Sequence, residues 1–147
     1  MYETGECVTA EYSANANGTV KVVNTEFFGF YDGSDDYGTI TGKAEVNNWY
    51  PGDFAVGFFG DIGADYRVID TDYTSYAIVY SCTEFLGLSL TEQSWVLVRD
   101  QIEDGSAEFN SMIDDTNAIY ATKLPEYDPE TRMRTTQQGT GCTYYTN

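Results

Sequence analysis

The feature that most constrains the fold of this chain is a succession of short β-rich segments separated by turn-forming residues. The segments carry β-branched and aromatic side chains, which suit a pleated, half-buried surface. Asn17-Gly18 and Pro51-Gly52 are typical of the turns that join such segments. Residues 66–70 and 76–82, with Asp72 between them, predict an antiparallel hairpin with a polar tip. An ordinary hairpin of any all-β domain would have the same pattern.

The sequence predicts seven strands in hairpin succession, a single helix and a C-terminal tail. The predicted strands cover residues 7–13, 19–30, 38–48, 53–60, 66–70, 76–82 and 94–99. A helix is predicted over residues 106–115, where Phe109, Met112 and Ile113 recur at one-turn spacing. Because the helix follows the strands, we expect it to pack outside the sheet. A short final strand is predicted over residues 132–136.

A meander of this kind has two edge strands that need to be closed, and an antiparallel up-and-down β-barrel closes them. The expected fold class is therefore all-β, with one α-helix packed outside the barrel. A barrel of about eight strands is filled by side chains or holds one small ligand. At 147 residues, the chain is expected to form a single domain over 1–147.

Charge and composition restrict the classes of function that the chain is expected to have. The net charge is −17, from 24 acidic and 7 basic side chains, and a field of that sign repels nucleic acid. The chain has no histidine, which is the commonest acid–base residue and the commonest metal ligand. We therefore expect no metal, no resident cofactor and no enzymatic activity. The sequon Asn17-Gly18-Thr19 is a candidate glycosylation site at Asn17 and favours a secreted protein.

Two motifs resemble those of the lipocalin family. Residues 71–77, TDYTSYA, resemble the family motif TDYxxYA in the turn between two barrel strands. Residues 95–99, WVLVR, resemble the strand that ends in the family's single conserved-motif arginine. With CVTAEYS and IVYSCT, the chain looks most like the branch that includes apolipoprotein D and crustacyanin. It departs from the family in lacking a GxW motif on a strand before Cys7, so we expect the first barrel strand to be absent.

The resemblance implies a disulfide and a set of ligand contacts. It pairs Cys7 with Cys142 and leaves Cys82 as the odd cysteine, whose family partner precedes the first strand. It places ligand contacts at Tyr12, Asn24 and Trp95. On strand alternation, the candidate cavity wall is extended by three further apolar side chains, Phe28, Phe58 and Val68. Alternatively, these aromatic and apolar side chains fill a solid core.

The expected function is extracellular binding and transport of a small hydrophobic ligand. Few cations are available to meet an acid group, and Arg67 is expected to face outward, so neutral ligands such as a sterol, a retinoid or a carotenoid are favoured. One alternative is a carotenoid-binding pigment subunit that acts through oligomer assembly. Another is an enzyme of the lipocalin type, such as an isomerase, for which Cys82 is the candidate nucleophile.

An apolar segment precedes the last strand. Residues 84–93 are predicted to form a loop at the mouth of the barrel, and the apolar members are Phe85, Leu86, Leu88 and Leu90. Such a loop could contact a membrane, a lipoprotein surface or a second subunit. Alternatively, it folds over its own barrel.

Overall fold

The computed structural model describes residues 5–29, 35–47, 49–58, 63–85 and 88–144. These residues form seven strands, two α-helices and a 3₁₀ turn at Gly139–Gly141. The strands are β1 (Glu6–Ala14), β2 (Val20–Gly29), β3 (Asp35–Val46), β4 (Asp53–Phe58), β5 (Ala64–Thr71), β6 (Tyr76–Phe85) and β7 (Leu88–Val98). The helices are α1 (Ala107–Lys123) and α2 (Pro129–Arg132).

The seven strands form one antiparallel sheet in sequence order, from β1 to β7. The sheet curls into a half-barrel, which confirms the predicted antiparallel meander with a helix outside it. Its two faces bury different clusters. Val22, Ala44 and Val56 pack together in one cluster, and Ile78 packs with Tyr120 of α1 and Tyr127 in the other.

Helix α1 is longer than the sequence analysis predicted. It begins after Ser106, whose hydroxyl accepts a hydrogen bond from the Phe109 N–H at 3.0 Å, and it continues past Asp115 to Lys123. The extra turns bury Tyr120 against Ile78 of the sheet, a tertiary contact that the local apolar spacing did not indicate. None of the helices in the described part of the chain is long and apolar enough to cross a membrane.

The prediction of a final strand over residues 132–136 was wrong. Helix α2 ends at Arg132, and residues 133–136 have no regular secondary structure. Asp128 caps α2 by accepting a hydrogen bond from the Glu130 N–H at 3.1 Å, and Pro129 occupies its first position. Arg132, at the end of α2, lies with its guanidinium 5.3 Å from the centre of the Tyr127 ring and pairs with Glu92. Capping and these long-range contacts decide the structure of the segment.

The prediction of a loop over residues 84–93 was also wrong. Strand β6 continues to Phe85 and strand β7 begins at Leu88, and their pairing runs from Tyr76↔Val98 to Phe85↔Leu88 with an irregularity between Thr83 and Glu84. Phe85, Leu88 and Leu90 are therefore strand residues, whereas Leu86 lies outside the described residues. Pairing along β6 extends the ladder beyond the β-branched run that marked it in the sequence. The proposed membrane or subunit contact of this segment stays a prediction.

The C-terminal tail is fastened to strand β1. A disulfide joins Cys7 to Cys142, the pair that the family resemblance implied. The Cys7 N–H donates to the Gln137 carbonyl at 3.0 Å. Arg134 donates to the Gly5 carbonyl at 2.6 Å and pairs with Glu6 at 3.1 Å. These contacts hold the first half of β1 against the tail.

The turn between β5 and β6 is organised by Asp72. Its Oδ1 accepts hydrogen bonds from the backbone N–H groups of Thr74, Ser75 and Tyr76 at 2.9, 2.8 and 3.1 Å. Hydrogen bonds, above all that from the Ser75 hydroxyl, hold the pKa of Asp72 far below its usual value of 3.8. The ionised carboxylate therefore stabilises the folded turn.

This lowered pKa predicts how Asp72→Asn will behave with pH. A carboxyl with a depressed folded-state pKa stabilises the fold above its unfolded pKa, and that contribution is lost as the pH falls towards the folded value. We expect Asp72→Asn to be less stable than the parent at pH 7, and the difference to shrink below about pH 4. Urea unfolding of both proteins at several pH values measures this difference in the free energy of unfolding, and Asp104→Asn serves as the control. A difference that stays constant down to pH 2.5 would contradict this role.

Candidate functional site

The curled sheet encloses a cavity of about 400 Å³. This volume falls within the roughly 300–1,000 Å³ that is usual for small-molecule sites. Apolar and aromatic side chains supply most of the wall, and Asn24, Thr25, Ser81 and Gln93 add a few polar groups. The arrangement matches sites in which an apolar body is enclosed and a few hydrogen-bonding groups orient it.

Three aromatic side chains form a row across the cavity. The hydroxyl groups of Tyr12 on β1 and Tyr66 on β5 are 2.8 Å apart, although these strands are not neighbours in the sheet. The Tyr66 ring stacks on Trp95 of β7 with centroids 6.2 Å apart and an interplanar angle of 24°. The Phe54 ring meets Tyr66 edge-on at 6.4 Å. The row spans the hollow side of the sheet and presents flat apolar surface to any occupant.

Two glycines leave room for the aromatic rings of the wall. Gly42 lies opposite Phe58 in the β3–β4 register, and a Cβ atom at Gly42 would come within 2.6 Å of the Phe58 ring. A Cβ atom at Gly38 would come within 2.5 Å of the Phe28 ring. Each ring can therefore lie flat over the backbone of the neighbouring strand because no side chain stands there.

The electrostatics of the cavity are acidic. Among the described residues that line it, Glu26 and Asp65 carry carboxylates and none carries an ammonium or guanidinium group. Glu26 accepts a hydrogen bond from the Gly5 N–H at 2.7 Å. Asp65 pairs with Arg67 at 3.2 Å, and the Arg67 side chain is itself about half exposed. The described lining residues therefore include no cation that could pair with a carboxylate of a bound molecule.

Five of the six predicted ligand contacts line this one cavity, and Val68 does not. The five are Tyr12, Asn24, Phe28, Phe58 and Trp95. Val68 lies opposite Val79 in the β5–β6 register, and its N–H donates to the Gly52 carbonyl at 2.8 Å, beside the β3–β4 turn. It is not among the described residues that line the cavity. The ligand-binding roles of all six residues stay predictions.

Tyr66, the residue at the centre of the aromatic row, was not among the predicted ligand contacts. The alternation of side chains along β5 provided a signal, because Tyr66 lies two positions before Val68 and therefore faces the same side of the sheet. Alternation puts Glu26 on the same face of β2 as Asn24 and Phe28, but Glu26 was not proposed as a ligand contact. Asp65, the other acidic wall residue, was not predicted.

The candidate nucleophile and the candidate glycosylation site lie apart from the cavity. Cys82 lies on β6 opposite Glu92 and is not among the residues that line it. Asn17 lies in the exposed turn between β1 and β2, where its side-chain oxygen accepts hydrogen bonds from the N–H and the hydroxyl of Thr19. Glycosylation of Asn17 stays a prediction.

An antiparallel sheet that curls round an apolar cavity and carries a helix on its other face defines a class of small-molecule-binding barrels. Residues 2–122 match the model of the lipocalin / cytosolic fatty-acid binding protein family, and the chain belongs to this family. The chain is 35% identical over 132 residues to apolipoprotein D of Macaca fascicularis, covering 88% of this chain and 68% of that protein. It is 40% identical over 101 residues to apolipoprotein D of Bos taurus, covering 67% and 51%.

Solved structures agree with this assignment at the level of the fold. Lobster apocrustacyanin A1 superimposes with a TM-score of 0.70 at 24% sequence identity, and the match covers 96% of this chain and 72% of that one.

A further relative by sequence, the Lazarillo protein of Schistocerca americana, is 33% identical over 111 residues, which cover 46% of its length. The chain therefore spans about half to two thirds of the length of these curated relatives.

Proposed function

We propose that this protein binds and carries a small, neutral, elongated hydrophobic molecule, of the sterol, retinoid or carotenoid class, in the cavity of its half-barrel. The observation that carries the proposal is the row formed by Tyr12, Tyr66 and Trp95 across the hollow. Stacked rings give a flat ligand a large apolar contact area, and their polar tips remain able to hydrogen-bond. The role is one of binding and transport without catalysis.

The acidic wall supports neutrality of the ligand. A fatty acid or a retinoate would bring its carboxylate towards Glu26 and Asp65, and Arg67, the ion-pair partner of Asp65, is not among the described residues that line the cavity. Burying an unpaired charge is costly, and a like charge nearby increases that cost. A hydroxyl or keto oxygen has no such penalty and can hydrogen-bond to Asn24 or to a tyrosine.

Three observations support an extracellular setting. The disulfide between Cys7 and Cys142 is of the kind that persists in oxidising compartments. The sequon at Asn17 lies in an exposed turn that a glycan could occupy. Apolipoprotein D, to which the chain is similar, is named as a lipoprotein component.

The proposal predicts that retinol binds more tightly than retinoate. The two probes share the same polyene and ring and differ at one end, so the difference in affinity isolates the carboxylate. We expect retinol to bind at least about tenfold more tightly, which corresponds to about 1.4 kcal/mol. The titration is followed by quenching of Trp95 fluorescence in Trp49→Phe, which removes the other tryptophan, a residue that is 87% exposed.

Two results would count against the proposal. If neither probe quenches Trp95, the cavity does not hold a molecule of this class. If retinoate binds as tightly as retinol, the acidic wall does not select against anions. A further variant tests the cause of the selection: Glu26→Gln combined with Asp65→Asn should raise the affinity for retinoate and leave that for retinol nearly unchanged.

A further inference from the structure

A second cavity, of about 540 Å³, lies on the outer side of the sheet between helix α1 and the end of strand β7. It shares no lining residue with the barrel cavity in the described part of the chain. Its apolar surface comes from four half-buried side chains, Val98, Ile102, Met112 and Ile119. We call this cavity the helix cleft.

Three carboxylates border the helix cleft. They belong to Asp100, Glu108 and Asp115, all of which are exposed. Within the described ranges none of the three forms an ion pair, and none accepts a hydrogen bond from another side chain or from the backbone. The helix cleft therefore combines an apolar floor with three uncompensated negative charges.

The cations nearest in the chain are engaged elsewhere. Lys123, at the end of α1, pairs with Asp70 at 2.6 Å. Arg99 directs its guanidinium to the Tyr73 carbonyl at 3.5 Å. Tyr76, which also lines the cleft, donates its hydroxyl to Asp70 at 2.7 Å and adds no positive charge. The hydrogen bond to Asp70 first, and the charge of Asp115 among lesser causes, raise the pKa of Tyr76 to about 12.

We propose that the helix cleft binds an amphipathic amine, with the apolar body on the floor and the ammonium group at the acidic rim that carries Asp100, Glu108 and Asp115. An apolar floor favours burial of a hydrocarbon or aromatic body. The carboxylates attract a cation, and the net charge of −17 raises the local concentration of cations further. Among the described residues, no three acidic, cysteine or histidine side chains converge as metal ligands would, so an ammonium group would lie beside one of these carboxylates rather than between all three.

The first experiment compares three probes with the same aromatic ring. 1-Naphthylmethylamine, 1-naphthylmethanol and 1-naphthoate are titrated into the ¹⁵N-labelled protein, and the chemical shifts are followed by NMR. We expect the amine to bind most tightly and the anion most weakly. The shifts should centre on residues 98–102 and on Met112 of α1 rather than on the Trp95 indole. An amine that binds no more tightly than the alcohol, or that shifts only the barrel cavity, would overturn the proposal.

A matched pair of variants distinguishes the contribution of the helix cleft to amine binding from that of the net charge of the protein. The test variant carries Asp100→Asn, Glu108→Gln and Asp115→Asn. The control carries Asp104→Asn, Asp114→Asn and Glu126→Gln, three exposed acids outside the cleft that change the net charge by the same amount. We expect the affinity for the amine to fall about tenfold in the test variant and less than about twofold in the control. Equal losses in both would assign the binding to overall charge and refute the site.

Discussion

Replacing Trp95 by alanine is expected to weaken retinol binding by at least about tenfold, or 1.4 kcal/mol. Trp95 stacks on Tyr66 and forms one end of the aromatic row across the cavity. Alanine removes this contact area and leaves Tyr66 without its stacking partner in the row. Since the cavity wall of β7 then recedes from the ligand, most of the loss should appear as faster dissociation. Retinol's own fluorescence measures the affinity, because the Trp95 signal is lost in this variant.

The matched control is Trp49→Ala. Trp49 lies in the turn between β3 and β4, is 87% exposed and does not line the cavity. Its removal should leave the affinity for retinol unchanged. Trp95→Phe, which keeps an aromatic ring, should fall between the parent and Trp95→Ala. If Trp49→Ala and Trp95→Ala lose affinity equally, retinol binds elsewhere than in the hollow.

Loss of the disulfide should produce the largest effect on stability. We expect Cys7→Ser combined with Cys142→Ser to lower the free energy of unfolding by about 2–5 kcal/mol. The two cysteines are 135 positions apart, so the bond restricts the unfolded chain over almost its whole length. The bond also holds the tail on β1, the strand that carries Tyr12, and retinol affinity should fall as β1 loosens. Urea unfolding monitored by circular dichroism measures the change in stability.

Cys82→Ser provides the control for this variant. It removes a thiol from β6 without opening a cross-link, so the free energy of unfolding should change far less than in the double variant. Reduction of the parent protein should reproduce the effect of the double substitution. A double variant that unfolds at the same urea concentration as the parent would show that two hydrogen bonds suffice to hold the tail: the one that Arg134 donates to Gly5 and the one that Gln137 accepts from residue 7.

The strands that sequence analysis located best are those whose pattern is local. Alternation and turn residues placed β1 to β5 within a few positions, because a half-buried strand shows its two faces directly in the sequence. The predicted ligand contacts at Tyr12 and Trp95 came from the family resemblance, and both residues line the cavity. Alternation puts Tyr66 and Val68 on the same side of β5 but does not show which part of the strand lines the cavity, and Val68 was proposed rather than Tyr66. That limit depends on the register between strands.

The length of α1 and the turn at Pro129–Arg132 were not predicted, because contacts between residues far apart in the chain stabilise them. The second half of α1 is stabilised by burial of Tyr120 beside Ile78, residues 42 positions apart in the chain. The turn at Pro129–Arg132 is supported by the pairing of Arg132 with Glu92 on β7. Neither contact is visible in a local window. The acidic wall of the cavity likewise combines Glu26 of β2 with Asp65 of β5, and neither segment alone predicts that the two line one cavity.

The most direct measurement is a crystal structure of the protein with retinol bound. The account predicts continuous density for the polyene inside the half-barrel, in contact with Trp95 and Tyr66, and with the hydroxyl end away from Glu26 and Asp65 or hydrogen-bonded to them as a donor. Retinol density confined to the outer surface, or a hollow that remains closed by its own aromatic side chains at saturating retinol, would contradict the account.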